Sequence, residues 1–380
     1  MNITGDPSMF FYLTRKQLIL FLALLALILF WLGNCLCFLW LKCAAPKLTI
    51  AESEIFCLVD DLFYLRNQAI LHGNLPTLAG LYDQSSRNGI WAYEHQVKKE
   101  KYLRNWLYKQ GAKLTAINSL IQLRRVQPKK DGVKVTLLVS TEYRYIYQNE
   151  PSSVNLMRIG TYHSLELLNK EEQWLISREW YTDPFADALA MEKGQAEADH
   201  LFISSQKPRD FSNLNPRRIK AVAYADEYCG AAANDEQGFK YNPKYTNYNY
   251  SGGDCANFAS QVIHEGGGFR KTYAWNYGKG ASRAWVNAQA FNRYMLNSGR
   301  ASCIAYGTYR QVLKLSYELL PGDYIAYEKK GKVTHISVVT GADSKGYALT
   351  NSHNADRYRA PWDLGYGDRG IKFWLVRVNY

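Results

Sequence analysis

The chain has 380 residues, 47% of them apolar and 14% aromatic, which excludes general disorder and implies more than one folding unit. Its net charge is +12, divided as +3 over residues 1–215 and +9 over residues 216–380. A basic second half suits an anionic partner such as a wall polymer; no nucleic-acid motif accompanies it, so no nucleic acid is expected.

After a short tail (1–16), residues 17–41, "QLILFLALLALILFWLGNCLCFLWL", contain no charged residue. As a helix this run is long enough to cross a bilayer, and it predicts an uncleaved single-pass anchor with the remaining chain outside the cytoplasm. Residues 48–83 space Ile55, Leu58, Val59, Leu62, Phe63, Ile70 and Leu71 at helical intervals and break at Gly73-Asn74-Leu75-Pro76, which predicts two helices. A further helix is expected over 91–110. The period then changes, and 133–147, 158–169 and 172–183 read as strands separated by turn residues. Helices followed by antiparallel strands predict an α+β domain over 48–183. The pattern resembles the nuclear-transport-factor-two-like fold. No convergent acid–base set is apparent there, and the expected role is that of a spacer or docking domain.

Residues 184–214 read as a linker. Beyond it, "NPRRIKAVAYADEYCG" (215–230) and "SRAWVNAQAFNRYMLNSG" (282–299) predict helices, and 323–329, 333–341, 347–353 and 371–379 predict strands. The seven cysteines (35, 37, 43, 57, 229, 255, 303) form no CxxC pair and no zinc spacing, so neither metal nor cofactor is expected. A Cys229–Cys303 disulfide is one open pairing.

Chemistry concentrates in "YSGGDCANFASQVIHEGGG" (250–268). Asp254 is placed as an N-cap and Cys255 as the first helical residue, where helix-end N–H groups favour a thiolate. A base must accompany it. His335 in "GKVTHISVVTG" is the candidate, on a strand face shared with Val333, Ser337 and Val339 by alternation. Asn351 and His353 alternate to one face of the next strand, and either suits the group that orients His335. The oxyanion of an acyl-transfer intermediate would meet the Cys255 N–H and an upstream side chain, Asn249 or Tyr248. Gly252 and Gly253 allow a substrate strand to come close, and Asp254 is assigned to capping. Asn257 and Gln261 are expected to serve packing, as are Trp275, Trp285 and Trp362. Catalysis on this reading requires the Cys255 sulfur and the His335 imidazole to come within hydrogen-bonding reach.

These segments, with "LPGDYIAYEKKGKVTHISVVTG" and "LTNSHNADR", resemble the bacterial "putative amidase" domain of the papain-like cysteine hydrolase superfamily, whose relatives include the CHAP and NlpC-type cell-wall peptidases. The resemblance covers roughly 215–380. It implies Cys255 as nucleophile, His335 as base and His353, with Asn351 as fallback, as third member, on a papain-like α+β fold with a cysteine-bearing helix packed on an antiparallel sheet. The expected function is a membrane-anchored cysteine amidase or peptidase acting on peptidoglycan. An inactive wall-binding scaffold and a papain-like acyltransferase are the alternatives.

Overall fold

The computed structural model describes residues 50–185, 196–234, 238–367 and 370–380. Helices α1 (Ile50–His72), α2 (Leu75–Gly80) and α3 (Arg87–Gln110) come first, followed by strands β1 (Ala112–Lys129), β2 (Gly132–Tyr147), β3 (Glu150–Lys170) and β4 (Gln173–Tyr181). The start of α3 is set by Ser86, whose hydroxyl accepts from the Gly89 N–H at 3.1 Å. Its end is set by Gly111 at φ 70°, a left-handed position that costs glycine nothing. Strand β1 was not anticipated: its mixed burial lacks a clean alternation, and pairing with β2 along its length supplies what periodicity does not.

Next come α4 (Ala196–Ser204), inside the expected linker, α5 (Pro216–Glu227), α6 (Cys255–Gln261), α7 (Arg283–Val286) and α8 (Ala288–Asn297). Strand β5 (Ala301–Gly307), the single turn α9 (Tyr309–Val312) and strands β6 (Tyr324–Lys329), β7 (Lys332–Ala342), β8 (Ala348–Ser352), β9 (Asp356–Pro361) and β10 (Ile371–Val378) complete the order. The strands form one antiparallel sheet, β1-β2-β3-β9-β8-β7-β6-β10-β5, with β4 also on β3.

The β3–β9 pairing (Arg158 with Tyr358, Gly160 with Asp356) places the strands of 48–183 and of 215–380 in one sheet. The cores are shared as well. Ala112, Tyr145 and Tyr147 are buried with Tyr327, Tyr347 and Trp362, and Tyr102, Trp106 and Ile159 with Ala360 and Leu364. Residues 56–380 are one compact unit.

One expectation is corrected here. Both the expected fold class and the single-pass location included a membrane-crossing helix. Among the described residues no helix is long and apolar enough to cross a membrane. The long helix α1 carries Glu52, Glu54, Asp60, Asp61 and Arg66, a charge load that hydrocarbon does not tolerate. Residues 17–41, on which that expectation rested, lie outside the described residues. What the structure supports is an α+β fold with an antiparallel sheet, and no single-pass location follows from it. The Cys229–Cys303 pairing is also absent: Cys229 is buried, Cys303 is exposed on β5, and both are free.

The seam between early and late strands contains a buried carboxyl. Asp343 accepts from the hydroxyls of Tyr145 (3.0 Å) and Tyr147 (2.6 Å) and from the Lys345 and Tyr347 N–H groups. Burial raises its pKa to about 6 against these hydrogen bonds. A carboxyl whose folded pKa exceeds its unfolded value holds its proton more tightly when folded, so stability falls as pH rises from about 4 to about 6. The contribution of this one group is on the order of 3 kcal/mol. Denaturation of wild type and Asp343→Asn across that window is expected to show the difference between them changing with pH. A difference independent of pH would mean that the carboxyl titrates normally.

Candidate functional site

Helix α6 lies against β7 and is followed by a π-helical turn, Val262–Gly266. Its one face packs Phe258, Ala259, Val262 and Ile263 with Trp275, Trp285, Phe291 and Ile336. The three named tryptophans are core residues with no exposure. Asn257 and Gln261 pack as expected: Asn257 donates to Thr246 O and accepts from Trp285 Nε1, and Gln261 accepts from the Tyr224 hydroxyl.

Asp254 does something else than cap. Its side chain makes no capping hydrogen bond to the first turn of α6. Oδ1 accepts from the Tyr248 N–H (2.9 Å) and Asn257 Nδ2 (2.8 Å), and Oδ2 meets His353 Nδ1 at 2.6 Å. The other ring nitrogen of His353 donates to the Tyr228 carbonyl at 2.8 Å, and the ring stacks on Phe258 at 4.2 Å. Burial lowers the His353 pKa, but the Asp254 hydrogen bond and the nearby carboxylates outweigh it, and the net shift is upward. With both nitrogens engaged as donors, His353 is an imidazolium that clamps Asp254 to the end of α5.

Tyr248, Asn249 and Gly253 lie in the loop that this clamp holds. The Gly253 N–H donates to Tyr248 O (3.1 Å), and Asn249 Oδ1 accepts from the Asn354 N–H (3.1 Å). Gly253 has φ 121°, a backbone conformation that favours glycine.

Cys255 is buried at the start of α6, 5% exposed. Burial raises the thiol pKa to about 11, although the backbone N–H groups of Ile336 and Ala256 favour the thiolate. His335 is also buried. The register pairs it with Tyr327 and pairs Ile336 with Ala326. Successive residues of a strand face opposite ways, so Ile336 meets the core beneath α6 while His335 turns to the other face. There its ring lies 5.4 Å from Tyr327 and 5.6 Å from Tyr366. Burial, and then the Arg357 charge, lower its pKa to about 3. An irregularity between Tyr327 and Glu328 moves Val333 off the His335 face, contrary to simple alternation.

No hydrogen bond joins Cys255 to His335 in the described structure, and both groups are neutral at pH 7. Neither proposed orienter reaches the imidazole. Asn351 donates to Ala225 O and Asp226 and accepts from Thr340 and the Arg359 N–H, and His353 is committed to Asp254. His335 Nε2 has no hydrogen-bond partner.

A family model described as "Putative amidase domain" matches residues 215–376. This supports an amidase, hence hydrolase, reading of that segment. Two Bacillus subtilis proteins, both described as uncharacterized, are similar to the chain. YhbB is 28% identical over 159 residues, 38% of this chain and 43% of that protein. YjcM is 24% identical over 201 residues, 50% of this chain and 42% of that protein. The chain therefore spans less than half the length of these relatives. No solved structure matches.

Proposed function

We propose that the amidase segment is a cysteine-dependent amide hydrolase held in a resting state, with Cys255 as nucleophile and His335 as general base. The observation that carries this reading is the packing of the Cys255 helix against β7, the strand that holds His335, with the Ile336 N–H, next to His335, among the groups that favour the thiolate. His335 keeps a vacant Nε2, whereas His353 has none to offer. A buried ring nitrogen without a partner costs about 1–3 kcal/mol, which is recovered if it pairs with the thiol.

Activation on this reading requires β7 to shift locally, at the irregularity beside His335, so that the imidazole leaves Tyr327 and Tyr366 and comes to the face that carries the sulfur. The thiol proton passes to Nε2, the thiolate attacks the amide carbon, and the proton is delivered to the departing amine. Water, deprotonated by the same imidazole, cleaves the thioester. The Ala256 and Ile336 N–H groups, which favour the thiolate, are the donors this reading assigns to the oxyanion. Peptide amides of peptidoglycan are the proposed substrate, in keeping with the excess positive charge of residues 216–380.

A specific observation favours a second reading, a catalytically inactive binding module: the thiol is buried and protonated, and its candidate base faces the other side of β7. Iodoacetamide labelling separates the two. Without substrate, Cys255 is expected to label more slowly at pH 8 than the exposed Cys57 and Cys303. Peptidoglycan fragments should raise its rate at least tenfold in wild type and not in His335→Ala. New amine ends released from purified wall by wild type, and absent with Cys255→Ala, complete the case for hydrolysis. An unchanged labelling rate and no released amines would leave the binding module.

A further inference from the structure

Three aromatic rings meet on the outer face of the early strands. Ile159 of β3 is buried with Tyr102 and Trp106 of α3, and alternation turns Tyr162 and Ser164 to the face of β3 away from that helix. Trp180 of β4 pairs with Ser164 in register and shares this face. Tyr250, from the loop ahead of α6, comes down beside them. The Tyr162 ring centre is 6.3 Å from that of Trp180, at 69°, and 5.7 Å from that of Tyr250, at 75°. Both contacts are edge-to-face. Trp180 is 58% exposed and Tyr250 71%. A planar ring exposed by more than half keeps a face open to water. A single exposed ring is ordinary, whereas a contiguous set marks a binding surface.

The loop that carries Tyr250 is anchored. The N–H groups of Ser251 and Gly253 donate to Tyr248 O at 2.9 and 3.1 Å, Asn249 Oδ1 accepts from the Asn354 N–H, and Asp254 is held by His353. Tyr250 therefore stands at a fixed place five residues before Cys255, and the β3–β9 pairing joins the early strands to the same sheet. Polar groups interrupt the rings. Ser164 and the exposed Arg178 share the Trp180 face. Partial burial raises the Tyr250 phenol pKa, and the charge of the exposed Arg124 works against that rise, which puts this cation near the ring.

We propose that Trp180, Tyr162 and Tyr250 form a platform for the sugar rings of a glycan chain, which holds the wall polymer beside the Cys255 site. Naming peptidoglycan as that polymer rests on the hydrolase reading above; affinity for sugar does not. The C–H groups on the flat side of a pyranose carry partial positive charge and are drawn to the negative face of an aromatic ring. Its hydroxyl rim then meets Ser164, Arg178 and Arg124, which supply hydrogen-bond donors. A protein partner would prefer an apolar centre free of charge. A nucleic-acid strand would require a continuous basic track, and here Glu166 stands opposite Arg178 in register and offsets its charge.

The test uses the full chain carrying Cys255→Ala, so that binding is read without turnover. Calorimetric titration with chitohexaose, and separately with peptide-free glycan strands from purified wall, is expected to show binding that Trp180→Ala and Tyr250→Ala each weaken about tenfold and that Trp180→Tyr largely retains. Both rings lie at the surface, so thermal transitions of the variants should match that of the parent. Binding should persist in about 0.5 M NaCl, where attraction to the basic half of the chain alone would be screened. Absence of binding to both glycans, affinity indifferent to both ring removals, loss of binding in salt, or tighter binding of oligothymidylate than of glycan overturns the proposal. Glycan binding through Trp180 without amine release by the wild type would refute the hydrolase reading and leave the platform standing.

Discussion

Lys109→Met is expected to destabilise the folded chain by about 3–5 kcal/mol. Lys109 projects from α3 and forms an ion pair with Asp363, which follows β9, with side chains 8% and 4% exposed. Asp363 also accepts from Trp106 Nε1 at 3.2 Å, and the Lys109 ammonium lies 4.1 Å from the centre of the Tyr309 ring. The two partners are 254 residues apart in the chain, so the pair ties α3 to the segment that follows β9. Removing the cation alone leaves a carboxylate stranded in low dielectric, where its solvation is lost without compensation. Denaturant unfolding measures the loss. Adding Asp363→Leu should recover part of it, because an apolar pair restores neutrality although Trp106 then lacks its acceptor. A loss below 1 kcal/mol for the single change would show that water reaches the pair.

A fragment comprising residues 215–380, the segment that carries the amidase match, should not fold alone. Excising it removes β3 and leaves the edge of β9 unpaired. Asp343 loses both tyrosine hydroxyls, and Asp363 loses Lys109 and Trp106. The Gly365 N–H loses the Tyr102 hydroxyl that it donates to at 2.7 Å. Tyr327, Tyr347 and Trp362 lose apolar cover from Ala112, Tyr145 and Tyr147. Each large ring re-exposed forfeits about 1.5–3 kcal/mol, and a domain has only about 5–15 kcal/mol to lose. The expected outcome is an aggregating fragment without a cooperative thermal transition, against a single transition for the full chain. A soluble fragment with near-ultraviolet dichroism and cooperative melting would show that the shared sheet is dispensable.

Where local rules suffice, expectation and structure agree. Helices α1 to α3 and α5 follow from apolar spacing with Asn74-Leu75-Pro76, Ser86, Gly111 and Asn215-Pro216 as their punctuation. Strands β6, β7, β8 and β10 follow from runs bounded by glycine turns. Strands β1, β5 and β9 were missed, because their side chains do not alternate cleanly and their stability comes from the neighbours on which they pair. Tyr162 and Trp180 were legible as strand residues. Only the β3–β4 register and the anchored loop ahead of α6 bring them together with Tyr250, and no single strand encodes either.

Residue type and spacing by themselves determined that Cys255 opens a helix behind a glycine turn and that the second half is rich in cations and strands. Tertiary structure alone decided whom each polar group meets: Asp254 faces backward to His353, His335 turns away from the sulfur, and early and late strands merge into one sheet. The physical reason is that periodicity specifies which side of an element is buried. Hydrogen-bond partners and pKa values depend on burial and on atoms brought near from a hundred or more residues away, and local sequence carries no record of either.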